Sequence, residues 1–219
     1  MNPVFIAIEG PIGAGKSSLA RLISEKFRFH LLEEIVSENP FLHDFYHDMN
    51  QYAFQTEMFF LVNRFNQLKE IDDHYLHKNI SVVSDYHMFK SLLFARRTLD
   101  PYYYNKFEQI FHILNDDLPE PNILIYLFAE VNTLLQRIKK RGRDFEQDIA
   151  PEYLQQLCLD YERYIDTLNK KNPHLAIIKI NSEELDFVTN KNHLQQLVLN
   201  ELAYVMKKEF QHDGFTGKI

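Results

Sequence analysis

An α/β fold, built on a five-stranded parallel sheet with helices on both faces, is what this sequence predicts. Three observations predict it. Five short apolar runs are spaced along the chain, and helical patterns separate them. A glycine-rich turn joins the first run directly to a helical pattern. The length of 219 residues and the 45% apolar content suit one α/β domain with a substantial core. Strands that alternate with helices imply a parallel sheet covered on both sides.

The strands are expected at 4–8, 29–33, 80–84, 122–128 and 175–180. Val4 to Ile8 forms the first. Leu19, Leu22, Ile23 and Phe27 then recur at helical spacing. The second strand ends Leu31-Leu32-Glu33-Glu34. A long helix over 52–76 is apolar around much of its circumference, through Phe54, Met58, Phe59, Leu61, Val62, Phe65, Leu68 and Ile71. The third strand, Ile80 to Ser84, runs into Asp85. A further helix from Tyr102 to Leu114 carries Phe107, Ile110, Phe111 and Leu114. Pro119 and Pro121 close a helix before the fourth strand, and Asn172-Pro173 does so before the fifth. No repeat, low-complexity tract or linker interrupts the chain, so one domain over 1–219 is expected. The wide apolar faces of 52–76 and 102–114 have two readings, core against the sheet or a homodimer interface, and both stay open.

Composition excludes several classes. A net charge of −7 argues against a nucleic-acid-binding surface over the whole protein. The single cysteine, Cys158, rules out an internal disulfide framework and suits a reducing cytoplasm. It sits in a helical pattern with Leu154, Leu157 and Tyr161, as a packing residue does. No apolar stretch approaches 18 residues, and the N-terminal run lacks a basic leader and is broken by Glu9. A soluble, cytoplasmic protein without membrane partners is expected.

Residues 10–17 read GPIGAGKS and fit G-x-x-x-x-G-K-[ST], with a strand before and a helix after. In that context Gly10, Pro11, Ile12, Gly13, Ala14, Gly15, Lys16, Ser17 and Ser18 form a phosphate cradle. Its backbone N–H groups face the anion, and the helix N-terminus adds a favourable dipole. Lys16 reaches the β- and γ-phosphates, and the Ser17 hydroxyl can ligate Mg²⁺. ATP with Mg²⁺ is the expected ligand. Ligands in such sheets bind beyond the carboxyl ends of the strands. Glu33 and Glu34 end the second strand there, and at most one of them can face the site. Asp85, after the third strand, is placed to sit near the metal.

The run RIKKRGR at 137–143 is a basic cluster in an acidic chain. It reads either as a solvated or nucleic-acid-binding patch or as an arginine lid over about 137–150, hinged at Gly142 and closing on the triphosphate. The lid fits the site better. A signalling GTPase is disfavoured: no D-x-x-G occurs, and Asn190-Lys191-Asn192 is followed by His193 where a guanine-reading Asp would stand.

Taken together, GPIGAGKSS, EEIVSENPFLHDFY, the Phe54-Gln55 helix, VVSDYH, QRIKKRGRDFE and DFVTN resemble the deoxynucleoside kinase family, in particular its bacterial deoxyguanosine kinase branch. The resemblance spans roughly 4–190 in the family's order. It implies transfer of the ATP γ-phosphoryl group to the 5′-hydroxyl of a 2′-deoxynucleoside by a homodimer of P-loop kinase type. By resemblance, Glu34 is the base, Tyr46 and Glu146 hold the sugar 3′-hydroxyl, and Gln55 reads the nucleobase. Phe54 or Phe89 lines the base pocket. Arg137, Arg141 and Arg143 are the lid arginines, and Asp186, Phe187 and Val188 lie beside the donor adenine. Lys90-Ser91 falls where related enzymes sense purine against pyrimidine. Much of the family carries an acid-Arg-Ser triplet after the third strand; here it reads Asp85-Tyr86-His87. Asp85 and Tyr86 then belong with the substrate contacts, and the arginine role is vacant or filled elsewhere, with Arg64 one candidate. This variant triplet favours deoxyguanosine, with deoxyadenosine second. A nucleoside monophosphate kinase of thymidylate kinase type and a non-catalytic nucleotide-binding protein are the alternatives.

Overall fold

Residues 3–147 and 149–183, with 202, 203, 205 and 206, are described by the computed structural model of the chain. Five strands, β1 (Phe5–Glu9), β2 (His30–Leu32), β3 (Val82–Ser84), β4 (Ile123–Phe128) and β5 (Ala176–Asn181), form one parallel sheet in the order β2-β3-β1-β4-β5. Its helices are α1 (Lys16–Phe27), α2 (Leu42–His47), α3 (Met49–His74), α4 (Lys90–Thr98), α5 (Pro101–Asn115), α6 (Val131–Arg141) and α7 (Pro151–Lys171).

The parallel sheet follows from strands that are apolar on both faces. Every residue of β1 is buried. Phe5 pairs in register with Val82, and Ile6 with Val83. Phe5 and Val82 face a cluster with Leu61, Leu68 and Ile71 of α3 and Phe107 and Phe111 of α5. Ile6 and Val83 face the opposite way, toward Leu19 and Ile23 of α1, Leu134 and Ile138 of α6, and Leu157 and Tyr161 of α7. A smaller cluster of Leu42, Phe45 and Ala53 packs α2 on α3. Burial of this apolar surface is the main stabilising term.

Two helices, α2 and α4, lie where the sequence pattern announces none. β2 and β3 are each three residues long, shorter than their apolar runs. That shortening leaves Glu33, Glu34 and Asp85 in the loops at the carboxyl edge. The long apolar helices resolve into two sides. Leu61, Leu68, Phe107 and Phe111 are core, whereas Val62, Tyr102, Tyr103 and Ile113 remain exposed. No helix among the described residues is long and apolar enough to cross a membrane. Asp186, Phe187 and Val188 lie outside the described residues.

Candidate active site

The loop after β1 is set by two close approaches. Gly10 has φ 149°, and a Cβ there would meet the Leu127 carbonyl oxygen at 2.2 Å. Gly13 has φ 85°, and its Cβ would meet the Leu134 carbonyl oxygen at 2.8 Å. Only glycine fits either position. The loop is therefore pressed against β4 and α6, and it delivers Lys16 and Ser17 to the first turn of α1. Lys16 Nζ donates to the carbonyls of Gly10 and Pro11 at 2.8 and 2.9 Å. Burial and the Lys90 charge bring its pKa down to about 8.

A cavity of about 390 Å³ opens beside this loop. Ile12, Gly13 and Gly15 to Ser18 line its donor side. Glu34 lines it as well. Its Oε1 accepts from Arg64 Nε at 2.9 Å and NH2 at 2.5 Å, and its Oε2 accepts from Lys90 Nζ at 2.5 Å. Burial alone would raise this carboxyl, but Lys90 and Arg64 override it and bring it to about 2. The group stays ionised at any physiological pH. Glu33, by contrast, turns to Arg21, with 2.6 Å between them.

Asp85 joins the two sides. The Ser17 hydroxyl donates to its Oδ2, and the Glu34 backbone N–H donates to its Oδ1 at 2.8 Å. Burial and the Glu34 charge raise its carboxyl. Ser17 Oγ and Asp85 Oδ2 bring two hard oxygens together beside the loop, a donor set that suits Mg²⁺.

The opposite wall comes from α2 and the segment after α6. Tyr46 lines the cavity, half-buried, and burial and the Glu146 charge push its phenol above the ordinary range. Glu146 is buried and gathers Arg141, through Nε at 3.0 Å, and Arg143 at 3.3 Å. All three line the cavity. Gly142 caps α6 in the left-handed region and lets the chain turn there.

The structure does not bring every expected residue here. Gln55 is exposed and does not line the cavity. Residues two apart on a helix point about 200° apart, so Glu57 faces inward instead. Tyr86 turns into the core beneath α3 and donates to Gln67 Oε1 at 2.8 Å. Arg137 donates to Ser182 at the end of β5, through NH1 to Oγ at 2.9 Å, and is not in the cavity wall. Phe54 packs on Tyr103 and Phe89 on Tyr164, both outside the cavity. Lys90 was not expected on Glu34. Ser91 accepts from Arg64 NH1 at 2.7 Å, which fixes the guanidinium from behind.

A glycine loop at a parallel sheet's carboxyl edge, facing a fixed carboxylate across a shared cavity, is the geometry of a nucleotide-dependent phosphotransferase. The model of the deoxynucleoside kinase family matches residues 6–206, and the chain belongs to that family. It is 48% identical over 193 residues to the deoxyguanosine kinase of Bacillus subtilis strain 168, covering 88% of this chain and 93% of that one. It is 34% identical over 211 residues to the deoxyadenosine kinase of Lactobacillus acidophilus, covering 90% and 94%. The solved structure of deoxyadenosine kinase from M. mycoides with bound dATP superposes with a TM-score of 0.77 at 26% identity, covering 91% of this chain and 99% of that one.

Proposed function

We propose that this chain transfers the γ-phosphoryl group of ATP to the 5′-hydroxyl of a purine 2′-deoxynucleoside, deoxyguanosine before deoxyadenosine, as a step of nucleotide salvage. The similarity to the Bacillus deoxyguanosine kinase supports the acceptor. The observation that carries the reading is the placement of Glu34, one cavity away from the loop and joined to it through Asp85.

In this reading the loop over 10–18 holds the triphosphate, and Lys16 leaves its two carbonyls to reach the β- and γ-phosphates. Mg²⁺, held by Ser17 and Asp85, would neutralise charge on the phosphates. The 5′-hydroxyl donates its hydrogen to Glu34. A carboxylate with a pKa near 2 is a weak base toward a resting alcohol. Its work is to orient the oxygen and to take the proton once bonding to phosphorus has made that proton acidic. The 5′-oxygen bonds to the γ-phosphorus, the bond to the bridging oxygen breaks, and ADP departs. Tyr46 and Glu146 hold the sugar, and Tyr46 crowds the 2′ position. The segment 137–150 acts as a lid that brings Arg141 and Arg143 to the phosphates and excludes water. One domain over 1–219, working in the cytoplasm as a homodimer, carries the whole site.

A monophosphate acceptor is disfavoured because Arg64 and Lys90 are both spent on Glu34 and leave little charge for a second phosphate. The test is direct. Purified protein with ATP and Mg²⁺ is given nucleosides and monophosphates, and phosphorylated product is measured. Deoxynucleosides are expected to react, and Glu34→Gln is expected to lower kcat by about 10²–10⁴ with the fold retained. Turnover of monophosphates alone overturns the reading.

A further inference from the structure

Glu57 faces inward from α3 and is 2% exposed. Its Oε1 accepts from the Thr98 hydroxyl at 3.2 Å. Its Oε2 is buried and has no hydrogen-bond partner among the described residues. The neighbouring Thr56 Oγ1 is buried and unpartnered as well, and both residues line the cavity that contains Glu34. A buried carboxylate oxygen without a donor is costly, and a folded protein rarely keeps one that nothing ever satisfies. The groups acting on it are Arg64 on the same helix, Lys90 and Thr98 of α4, Glu34 beyond β2, Tyr46 of α2 and Tyr153 of α7. The two cations among them, Arg64 and Lys90, are bound to Glu34.

Position adds to chemistry. Glu57 and Arg64 are seven residues apart on one helix, hence on the same face and about 10 Å apart along its axis. Arg64 holds Glu34, where the acceptor hydroxyl is to sit. Ten ångströms is about the span of a purine nucleoside, from its 5′-oxygen to the far edge of its base. An ionised carboxylate offers acceptors only. On their pairing edges adenine and cytosine set one donor beside an acceptor, and thymine sets one donor between two carbonyls. Guanine alone presents two adjacent donors, N1–H and the 2-amino group.

Resting on the kinase reading above, we propose that Glu57 is the residue that selects the nucleobase, by accepting from the N1–H and 2-amino groups of guanine. The role expected for Gln55 passes to a residue two places on, and the change from amide to carboxylate makes the recognition specific for guanine. Thr98 holds Oε1 in place, and Oε2 keeps its lone pairs unpartnered on a residue that lines the cavity.

The experiment compares kcat/KM for deoxyguanosine with that for 2′-deoxyinosine, which lacks the 2-amino group, and for 1-methyl-2′-deoxyguanosine, which lacks N1–H. In the wild-type protein each analogue is expected to lose about 10- to 100-fold. Glu57→Gln restores a donor beside an acceptor, and its preference is expected to move from deoxyguanosine to deoxyadenosine and deoxycytidine by about 100-fold or more. Equal turnover of the three guanine-type substrates by wild-type protein overturns the proposal, and so does a uniform loss on all nucleosides in Glu57→Gln. The wild-type arm stands whether or not the variant folds. Wild-type protein inert toward every deoxynucleoside overturns the kinase reading itself, and the Glu57 role with it.

Discussion

Arg64 grips Glu34 with two nitrogens of one guanidinium, while the third nitrogen is held by Ser91. The side chains are 3% and 9% exposed, so the pair is shielded from water. Arg64→Met leaves Lys90 as the remaining cation on Glu34. The Glu34 carboxyl then rises from about 2 toward its ordinary range. Wild-type activity is expected to show no acid limb from this group until far below neutrality, and the variant is expected to show one at higher pH, read from kcat/KM profiles. Stability follows the same sign. A depressed carboxyl stabilises the fold above its unfolded value near 4.5, and that contribution fades as pH falls toward 2. The melting difference between wild type and variant is therefore expected to be widest above pH 4.5, at about 3 kcal/mol, and to narrow in acid.

Glu57 gives the opposite pH signature. Burial raises its carboxyl from 4.5 to about 7 in the fold. Stability from this group is full below the unfolded value and is lost as pH rises through about 7. Thermal melts without ligand are expected to show Glu57→Gln gaining on wild type as pH climbs from 5 to 8. An equal gap at both ends would mean that Glu57 finds a partner in the empty protein.

Tyr46 lines the cavity under the influence of Glu146. Tyr46→Phe keeps the ring and removes the hydroxyl. Discrimination between deoxyribose and ribose acceptors is expected to weaken by about tenfold, measured as the ratio of kcat/KM values. An unchanged ratio would take Tyr46 out of the sugar pocket.

Arg141 and Arg137 test the proposed lid. Arg141 is tied to Glu146 in the cavity wall, whereas Arg137 is tied to Ser182. Arg141→Gln is expected to lower kcat by about 10³. Arg137→Gln should cost far less in turnover. Equal losses in steady-state assays would place both arginines on the phosphates.

The outer side of α3 and α5 leaves Val62 43%, Tyr102 67% and Ile113 76% exposed. Patches of this kind on helices mark association surfaces. Ile113→Glu is expected to shift sedimentation from dimer to monomer, and a wild-type monomer at all concentrations would refute the dimer.

Much of the fold could be read from residue order, because buried parallel strands announce themselves as unbroken apolar runs. An acid at the end of the second strand was legible for the same reason, but the choice of Glu34 over Glu33 came from the family resemblance. Lys90 was not, since nothing linear says that a lysine 56 positions away turns inward to it. Helical phase was the other blind spot. The stretch Phe54-Gln55-Thr56-Glu57-Met58-Phe59-Phe60 is apolar on nearly all sides, so the sequence cannot tell whether Gln55 or Glu57 faces the cavity. Tyr86 illustrates a third. A triplet resembling a family motif need not aim its middle residue as the motif does, and the core beneath α3 had room for the ring.

Asp85 has a consequence beyond its own chemistry. One oxygen engages the hydroxyl of the donor loop, and the other engages the backbone at Glu34. The carboxylate is thus a spacer of fixed length between two binding regions that are otherwise separate in sequence. On the proposed function, its width sets the gap across which a phosphoryl group travels. Lengthening it by one methylene, as in Asp85→Glu, would widen that gap even if every ligand still bound. On that reading, an evolving acceptor pocket can change its walls freely, but not its distance from the donor while this residue stays.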